Sequence, residues 1–306
     1  MSPRRSDFDV SNRVKTTDAI AVNTEINRIY GHLYPGQETR QLDQAFRDAT
    51  SLYQGKYPGY RGCDTPYHDI QHVLDVTLAM ARLIDGYECG GIGVERLDAP
   101  LFRLGVVVAL FHDCGYLLKL DDTEHGNGGE VTLTHVSRGA DFLRQYLPGI
   151  GMGDVADVAA RLIHFTGFET PVAKIDVPTL RHKLLGNLLG SADIIAQMSD
   201  RCYLEKCRDR LYPEFVAGGV TTKHTGSGEV VVFSSPEDLV IKTPQFYRTA
   251  SRRLDSELGG AYRYAKEHFG GNNLYMDAVK QNVRFAERIG QDGKVELRRH
   301  PPSEYF

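Results

Sequence analysis

Val106-Val107-Val108-Ala109-Leu110-Phe111-His112-Asp113 runs an unbroken apolar segment straight into an imidazole and a carboxylate. A segment of that character must be buried, and ionisable groups at its end then need a partner, because an unpaired charge in apolar surroundings is costly. A cation is the simplest partner. At a helix end emerging into solvent the same two groups would need none, so the pair gains meaning only from its company. Upstream, His68 and His72 stand one turn apart and share a helix face, and Val76 and Leu83 continue the stripe that turns His72 toward the core. Downstream, His135 shares a stripe with Val131, Gly139, Phe142 and Tyr146, and Asp193 falls one turn after Leu189 and one before Gln197. His164 closes a helix in Leu162-Ile163-His164-Phe165, where a C-terminal capping role is an equally good use of the ring.

A lone histidine on an apolar face is more often a satisfied core residue than a ligand, whereas a carboxylate in mid-helix cannot be buried ionised without compensation. Taken together, His72, His112, Asp113, His135, His164 and Asp193 point to a metal-dependent hydrolase. Imidazole and carboxylate donors suit a divalent ion such as Fe, Mn, Zn or Mg. The set exceeds what one ion needs, so two divalent metal ions bridged by Asp113 are expected.

The bulk of the chain is ordinary. Its 306 residues, 41% hydrophobic and 25% charged, fill one large core or two modest ones. A formal charge of −4 and an isoelectric point near 6.3 give no pull toward nucleic acid or anionic lipid. No apolar run approaches the roughly 18 residues of a membrane span. Met1 to Lys15 is basic and polar, unlike a secretory signal, and reads as a disordered N-terminal arm. Cys63, Cys89, Cys114, Cys202 and Cys207 form no paired motif and are odd in number, as expected of a reduced, cytoplasmic protein. Cys114, beside His112 and Asp113, is expected to pack rather than ligate.

Helical periodicity dominates, giving an all-α expectation. Thr16 to Tyr34 and Glu38 to Gln54 read as helices around a Pro35-Gly36 turn. Further helices are expected from Tyr67, capped by Thr65, to about Asp85; from Asp98 to about Gly115; and over Glu130 to Leu147, Asp154 to Phe165, Pro178 to Met198 and Asp200 to Phe215. Between Gly218 and Ser234, β-favouring residues flank Gly226-Ser227-Gly228, so a small β-hairpin is expected. Ser235-Pro236 and Thr243-Pro244 each place a capping residue before a proline suited to a first turn. The division expected is an arm over 1–15, a metal-bearing helical core over 16–217, and a hairpin with a C-terminal helical extension over 218–306.

With these residues in place, the chain resembles the HD-domain superfamily of metal-dependent phosphohydrolases. The order His72, His112-Asp113, Asp193 is similar to its H…HD…D pattern, and Phe111-His112-Asp113-Cys114-Gly115-Tyr116 resembles its central motif. His135 and His164, inserted before the last aspartate, resemble the subgroup that holds two metals. Tyr67-His68-Asp69-Ile70-Gln71-His72-Val73-Leu74-Asp75-Val76 is similar to the YHNxxHxxDV signature of cyclic-nucleotide phosphodiesterases. The resemblance implies an HD/PDEase-like helical bundle, covers about Pro66 to Asp200, and makes His68 the general acid and His72 a metal ligand. Asp69 departs from the usual Asn and Tyr116 from a further His. The Gly-Tyr-Pro signature and double His of bacterial cyclic-di-nucleotide hydrolases are also missing, which weakens a cyclic nucleotide as substrate.

The mechanism this implies has a first ion on His72, His112, Asp113 and Asp193, and a second on Asp113, His135 and His164. A metal-activated hydroxide would attack phosphorus while His68 protonates the leaving alkoxide. Asp113 and His68 are thus the catalytic pair, acting on a small-molecule phosphoester of nucleotide type, with a homodimer left open. Lys119, Arg138 and His182 are the candidate phosphate contacts. Lys119 to Gly129, carrying Glu124 and His125, reads as a solvated loop, with a lid as the alternative. His32, His224, His268 and His300 read as surface residues. Two rivals share the ligand set: a diiron oxygenase of the same superfamily, and a non-catalytic module whose metal is structural.

Overall fold

The computed structural model describes residues 4–91, 95–225, 228–292 and 296–302. The first part of the chain is helical: α1 (Ala19–Leu33), α2 (Arg40–Tyr53), α3 (Ile70–Gly90), α4 (Ala99–Leu110), α5 (His135–Tyr146), α6 (Ala156–Leu162) and α7 (Leu180–Ser199). Then come α8 (Tyr203–Lys206), a π-turn over Cys207–Leu211, α9 (Tyr212–Ala217), the strands β1 (Thr222–Thr225) and β2 (Gly228–Val231), α10 (Pro236–Ile241), α11 (Thr243–Arg252), α12 (Ala265–His268) and α13 (Leu274–Asp292).

The axis of the bundle is α3. It is apolar on nearly every side, as a fully enclosed helix must be, and α1, α4, α7 and α12 pack around it. Asp69 starts it by accepting from the His72 amide at 2.9 Å, so the cap lies four residues beyond the expected Thr65. Asp98 caps α4 as expected, accepting from Leu101 N. That helix ends at Leu110, short of the expected Gly115, and Cys114–Tyr116 forms a separate 3-10 turn. α5 likewise begins later than expected, at His135, after a 3-10 turn over Gly128–Val131. The expected helix over Asp200 to Phe215 is divided by the π-turn. Ser235 caps α10 as read, but Thr243 lies inside α11.

The hairpin is antiparallel, with Thr222 opposite Val231 and Lys223 opposite Val230. Its expected turn residues 226–227 lie outside the described residues. One apolar core runs from Val14 in the N-terminal segment to Ile289 in α13.

The expectation of a disordered arm over 1–15 is corrected for residues 4–15; residues 1–3 lie outside the described residues. Asp9 is buried and its carboxylate meets Arg82 of α3 at 2.7 Å, while Ser11, Arg13 and Val14 donate their amides to it. Arg82, itself buried, also donates to Tyr275 Oη on α13 at 3.0 Å. One guanidinium therefore ties both ends of the chain to the central helix. The basic composition of the segment concealed this, because the residue that anchors it is the acid. His268 is corrected too: its Nδ1 lies 2.6 Å from Asp85 Oδ2, joining α12 to α3 rather than facing solvent. All five cysteines are free, and Cys114 is packed in the core. No helix among the described residues is long and apolar enough to cross a membrane.

Candidate metal centre and catalytic site

The early end of α4 makes the site. Residues His112 and Asp113 occupy the link between α4 and the 3-10 turn, where helical hydrogen bonding has stopped. The Ala109 carbonyl, which also accepts from His112 N at 3.4 Å, lies 2.8 Å from His112 Nδ1. A carbonyl can only accept, so Nδ1 carries the proton and the Nε2 lone pair of the neutral ring faces the other way. His135 repeats the device at the start of α5, with Nδ1 2.7 Å from the Thr132 carbonyl.

Both rings look toward Asp113. Its Oδ2 lies 3.1 Å from His112 Nε2 and 3.2 Å from His72 Nε2, and Oδ1 lies 3.7 Å from His135 Nε2. His72 comes from the first turn of α3, and the two Nε2 atoms stand 3.3 Å apart. Asp193, from the middle of α7, brings Oδ1 to 3.6 Å from His72 Nε2 and 3.9 Å from His112 Nε2. Gln197 steadies Asp193 at 3.5 Å, and Tyr67 Oη holds Gln197 in turn.

Among the described residues, His72, His112 and Asp113 form the buried group able to hold a metal ion. The donor set fits one. Asp113 Oδ2 is buried without a well-directed hydrogen bond although two imidazole nitrogens lie beside it. Nitrogen lone pairs and carboxylate oxygens crowded together repel unless a proton or a cation sits among them. Without a cation the proton goes to His112: burial opposes its charge, but Asp113 and then Asp193 push its pKa up to about 9. Asp113 itself is held well below the usual carboxylate range; burial opposes this, and His112 with His72 outweighs burial. His135, by contrast, is pushed down by burial against the pull of Asp113, leaving it neutral and ready to ligate.

Close backbone packing sets the His135 distance. A Cβ on Gly115 would overlap the His135 carbonyl, so only glycine lets α5 come this near to the 3-10 turn. The amides opening α5 are capped from outside the helix by Glu169, which accepts from Val136 N at 2.9 Å and Ser137 N at 3.2 Å.

His68 stands just before α3, and its Nδ1 lies 2.5 Å from Glu214 Oε2 of α9. The other Glu214 oxygen accepts from Tyr67 N. Burial disfavours the imidazolium, but Glu214, aided by Asp113 and Asp193, more than reverses that and raises the His68 pKa. Tyr116 is sandwiched between His68 and His135, with centroid separations of 4.2 and 4.3 Å. Asp69 takes Arg210 Nη1 at 3.1 Å on the carboxylate oxygen not used for capping.

Other sequence-derived candidates fall elsewhere. His164, expected on a second ion, is not among the residues lining the cavity at the cluster; its Nδ1 is buried without a partner at the end of α6. Lys119 and Arg138 line a different depression, behind the His112-Asp113 link, where Arg138 Nε donates to the Gly115 carbonyl. Glu124 and His125 share that depression and fold back on Asp122. His182 bonds Thr179 in the first turn of α7, roughly 16 Å along the helix from Asp193. None of these three basic residues lines the main cavity. Glu214 and Glu169 escaped the sequence reading. Neither belongs to a recognisable spacing, since each acts on a histidine-bearing segment far away in the chain.

The chain superposes on the crystal structure of the phosphodiesterase domain of the RhoPDE fusion protein from the choanoflagellate Salpingoeca rosetta. The likeness covers 96% of this chain and 97% of that one, with a TM-score of 0.55 and 13% sequence identity. The fold is a phosphodiesterase-like helical bundle. At that identity the likeness speaks for architecture alone. A family model described as Npun_R2479-like matches residues 123–258, a stretch that contains His135, Asp193 and Glu214 but not His72, His112 or Asp113. No curated protein matches the sequence.

Proposed function

We propose that this chain is a metal-dependent phosphohydrolase acting as a phosphodiesterase on a small-molecule phosphoester, with nucleotide diesters among the substrates to test. The observation that carries the reading is the pairing of two features in one cavity. His72, His112, Asp113 and Asp193 converge around an unsatisfied carboxylate oxygen, and His68, held by Glu214, lines the same space. A divalent cation held by those four residues would neutralise phosphoryl charge and lower the pKa of a water. Asp113 and His135, whose Oδ1 and Nε2 lie 3.7 Å apart, would hold a second cation, with His164 as the further ligand the sequence offers.

The protein's own groups have defined tasks. His68 donates Nδ1–H to Glu214, which leaves Nε2 for the cavity, and the Glu214 carboxylate favours the charged ring. In hydrolysis the water gives up a proton to solvent as its oxygen bonds to phosphorus, the P–O ester bond breaks, and the departing alkoxide takes the His68 Nε2 proton, which solvent then restores. Tyr116, stacked on both His68 and His135, fixes the acid relative to the metal cluster. A diiron oxygenase has no comparable use for a buried His–Glu pair, so hydrolysis is favoured over oxidation.

The test is hydrolysis of bis(4-nitrophenyl) phosphate and a nucleotide diester panel by protein stripped with chelator and reloaded with Mn, Fe, Zn or Mg. Turnover that appears with at least one metal and vanishes on chelation is expected. Absence of turnover with every metal, or turnover indifferent to chelator, contradicts the reading.

A further inference from the structure

The cavity over the metal cluster extends well past it, to a volume of about 500 Å³, enough for a drug-sized ligand. Its far wall is built by Leu133, Phe168, Phe215, Phe233, Leu239 and Phe246. Phe215 and Phe233 stack at 5.7 Å between centroids. At the mouth, Phe168 is 71% exposed, Leu133 66% and Phe246 38%, a concentration of apolar surface that water does not favour.

The polar groups on this wall are already committed. Lys242 Nζ binds Asp238 at 2.8 Å and the Val232 carbonyl at 2.7 Å, so its charge is answered locally. Glu169 is used up by the amides of α5. Thr132 and Thr166 donate their hydroxyls to the carbonyls of Gly129 and Ile163, and Gln197 is spent on Asp193 and Tyr67. A nucleobase and ribose entering this space would leave most of their donors and acceptors unpaired, and each carries a desolvation penalty.

We propose that this site takes a phosphoester whose non-reacting group is a hydrocarbon, alkyl or aryl, and discriminates against nucleotides. The proposal rests on the phosphohydrolase reading and narrows its substrate class. The phosphoryl group meets the His and Asp cluster while the hydrocarbon fills the aromatic wall.

The experiment is an alkyl 4-nitrophenyl phosphate series, methyl to hexyl, assayed on the Mn-loaded full chain beside 3′,5′-cyclic AMP and GMP. With the leaving group constant, kcat/KM should rise about threefold per methylene until the wall is filled, and the hexyl ester should exceed both cyclic nucleotides. Phe246→Ser should flatten the series; should that variant fail to fold by thermal melting, the wild-type slope decides. A flat series, or a cyclic nucleotide turned over better than the hexyl ester, overturns the proposal. If no ester is hydrolysed with any metal, the hydrolase reading has failed separately. Calorimetric titration with hexyl and methyl phosphate then decides the cavity: at least tenfold tighter hexyl binding supports the proposal, and equal binding overturns it.

Discussion

Glu214 Oε2 lies 2.5 Å from His68 Nδ1, and the two residues are 146 positions apart in the chain. In the proposed reaction the contact would bring α9 into the chemistry through His68. Replacing Glu214 by Gln keeps an acceptor but removes the charge that raises the His68 pKa. A general acid works only while protonated, so activity is lost as pH rises through its pKa. The alkaline limb of the kcat/KM profile should therefore move to lower pH in Glu214→Gln. His68→Ala should cost about 10²- to 10⁴-fold with an alkoxide leaving group and far less with 4-nitrophenolate, which needs no proton. Unchanged profiles would remove Glu214 from this role.

The same cluster couples metal and proton. His112, pushed up to about 9 in the absence of a cation, must lose its proton before Nε2 can ligate. Apparent metal affinity should rise about tenfold per pH unit up to about pH 9 and then level. Calorimetry at pH 7 in buffers of different ionisation enthalpy should show about one proton released per ion.

Removing the bridging carboxylate tests the centre from the other side. Asp113→Ala should abolish metal retention as measured by elemental analysis after dialysis, since it takes away both the oxygen that His72 and His112 face and the one nearest His135. His68→Ala should keep its metal, because the ion pair of His68 is with Glu214 and it meets His72 and His135 only ring to ring. Full metal in Asp113→Ala would end its bridging role.

Stability at low pH should depend on Asp9. Burial opposes its charge, but Arg82, the Ser11 hydroxyl and the amides of Val14 and Ser11 lower its pKa to about 2 from the usual 3.8. A depressed carboxylate stabilises the fold above its unfolded pKa, and that contribution, about 2 kcal/mol, is lost as pH falls from about 4 through about 2. Urea midpoints should fall across that window in the wild type and change less in Asp9→Asn, which should already be destabilised at pH 7.

Much of the fold was legible because period and punctuation agree with it. The stripes through α3 and α5 and the Asp98 cap all reflect local chemistry that a sequence carries on its face. The core of the site was legible for the same reason: a carboxylate or imidazole in an apolar helix has to be answered somewhere. What stayed hidden is long-range. Glu214 reaches His68, and Glu169 reaches α5, from segments with no telling pattern of their own. His164 shows the limit of spacing: a histidine in the 3-10 turn at Ile163–Phe165 has a place in the chain without a direction fixed by helix period. Lys119, Arg138 and His182 offer a phosphate only their charge, and charge says nothing of which face a residue occupies.

The capping of α5 offers a further check. Glu169→Ala leaves the Val136 and Ser137 amides without their partner and should cost about 1 kcal/mol in chemical denaturation. Because His135 opens that helix, loss of the second cation should accompany it, with metal stoichiometry falling while the first ion remains.

The most direct test of the metal centre is anomalous diffraction from crystals of the full chain equilibrated with Mn. A peak enclosed by His72 Nε2, His112 Nε2, Asp113 and Asp193 is the expected result. No peak there at saturating metal, or one bound by other residues instead, would contradict it.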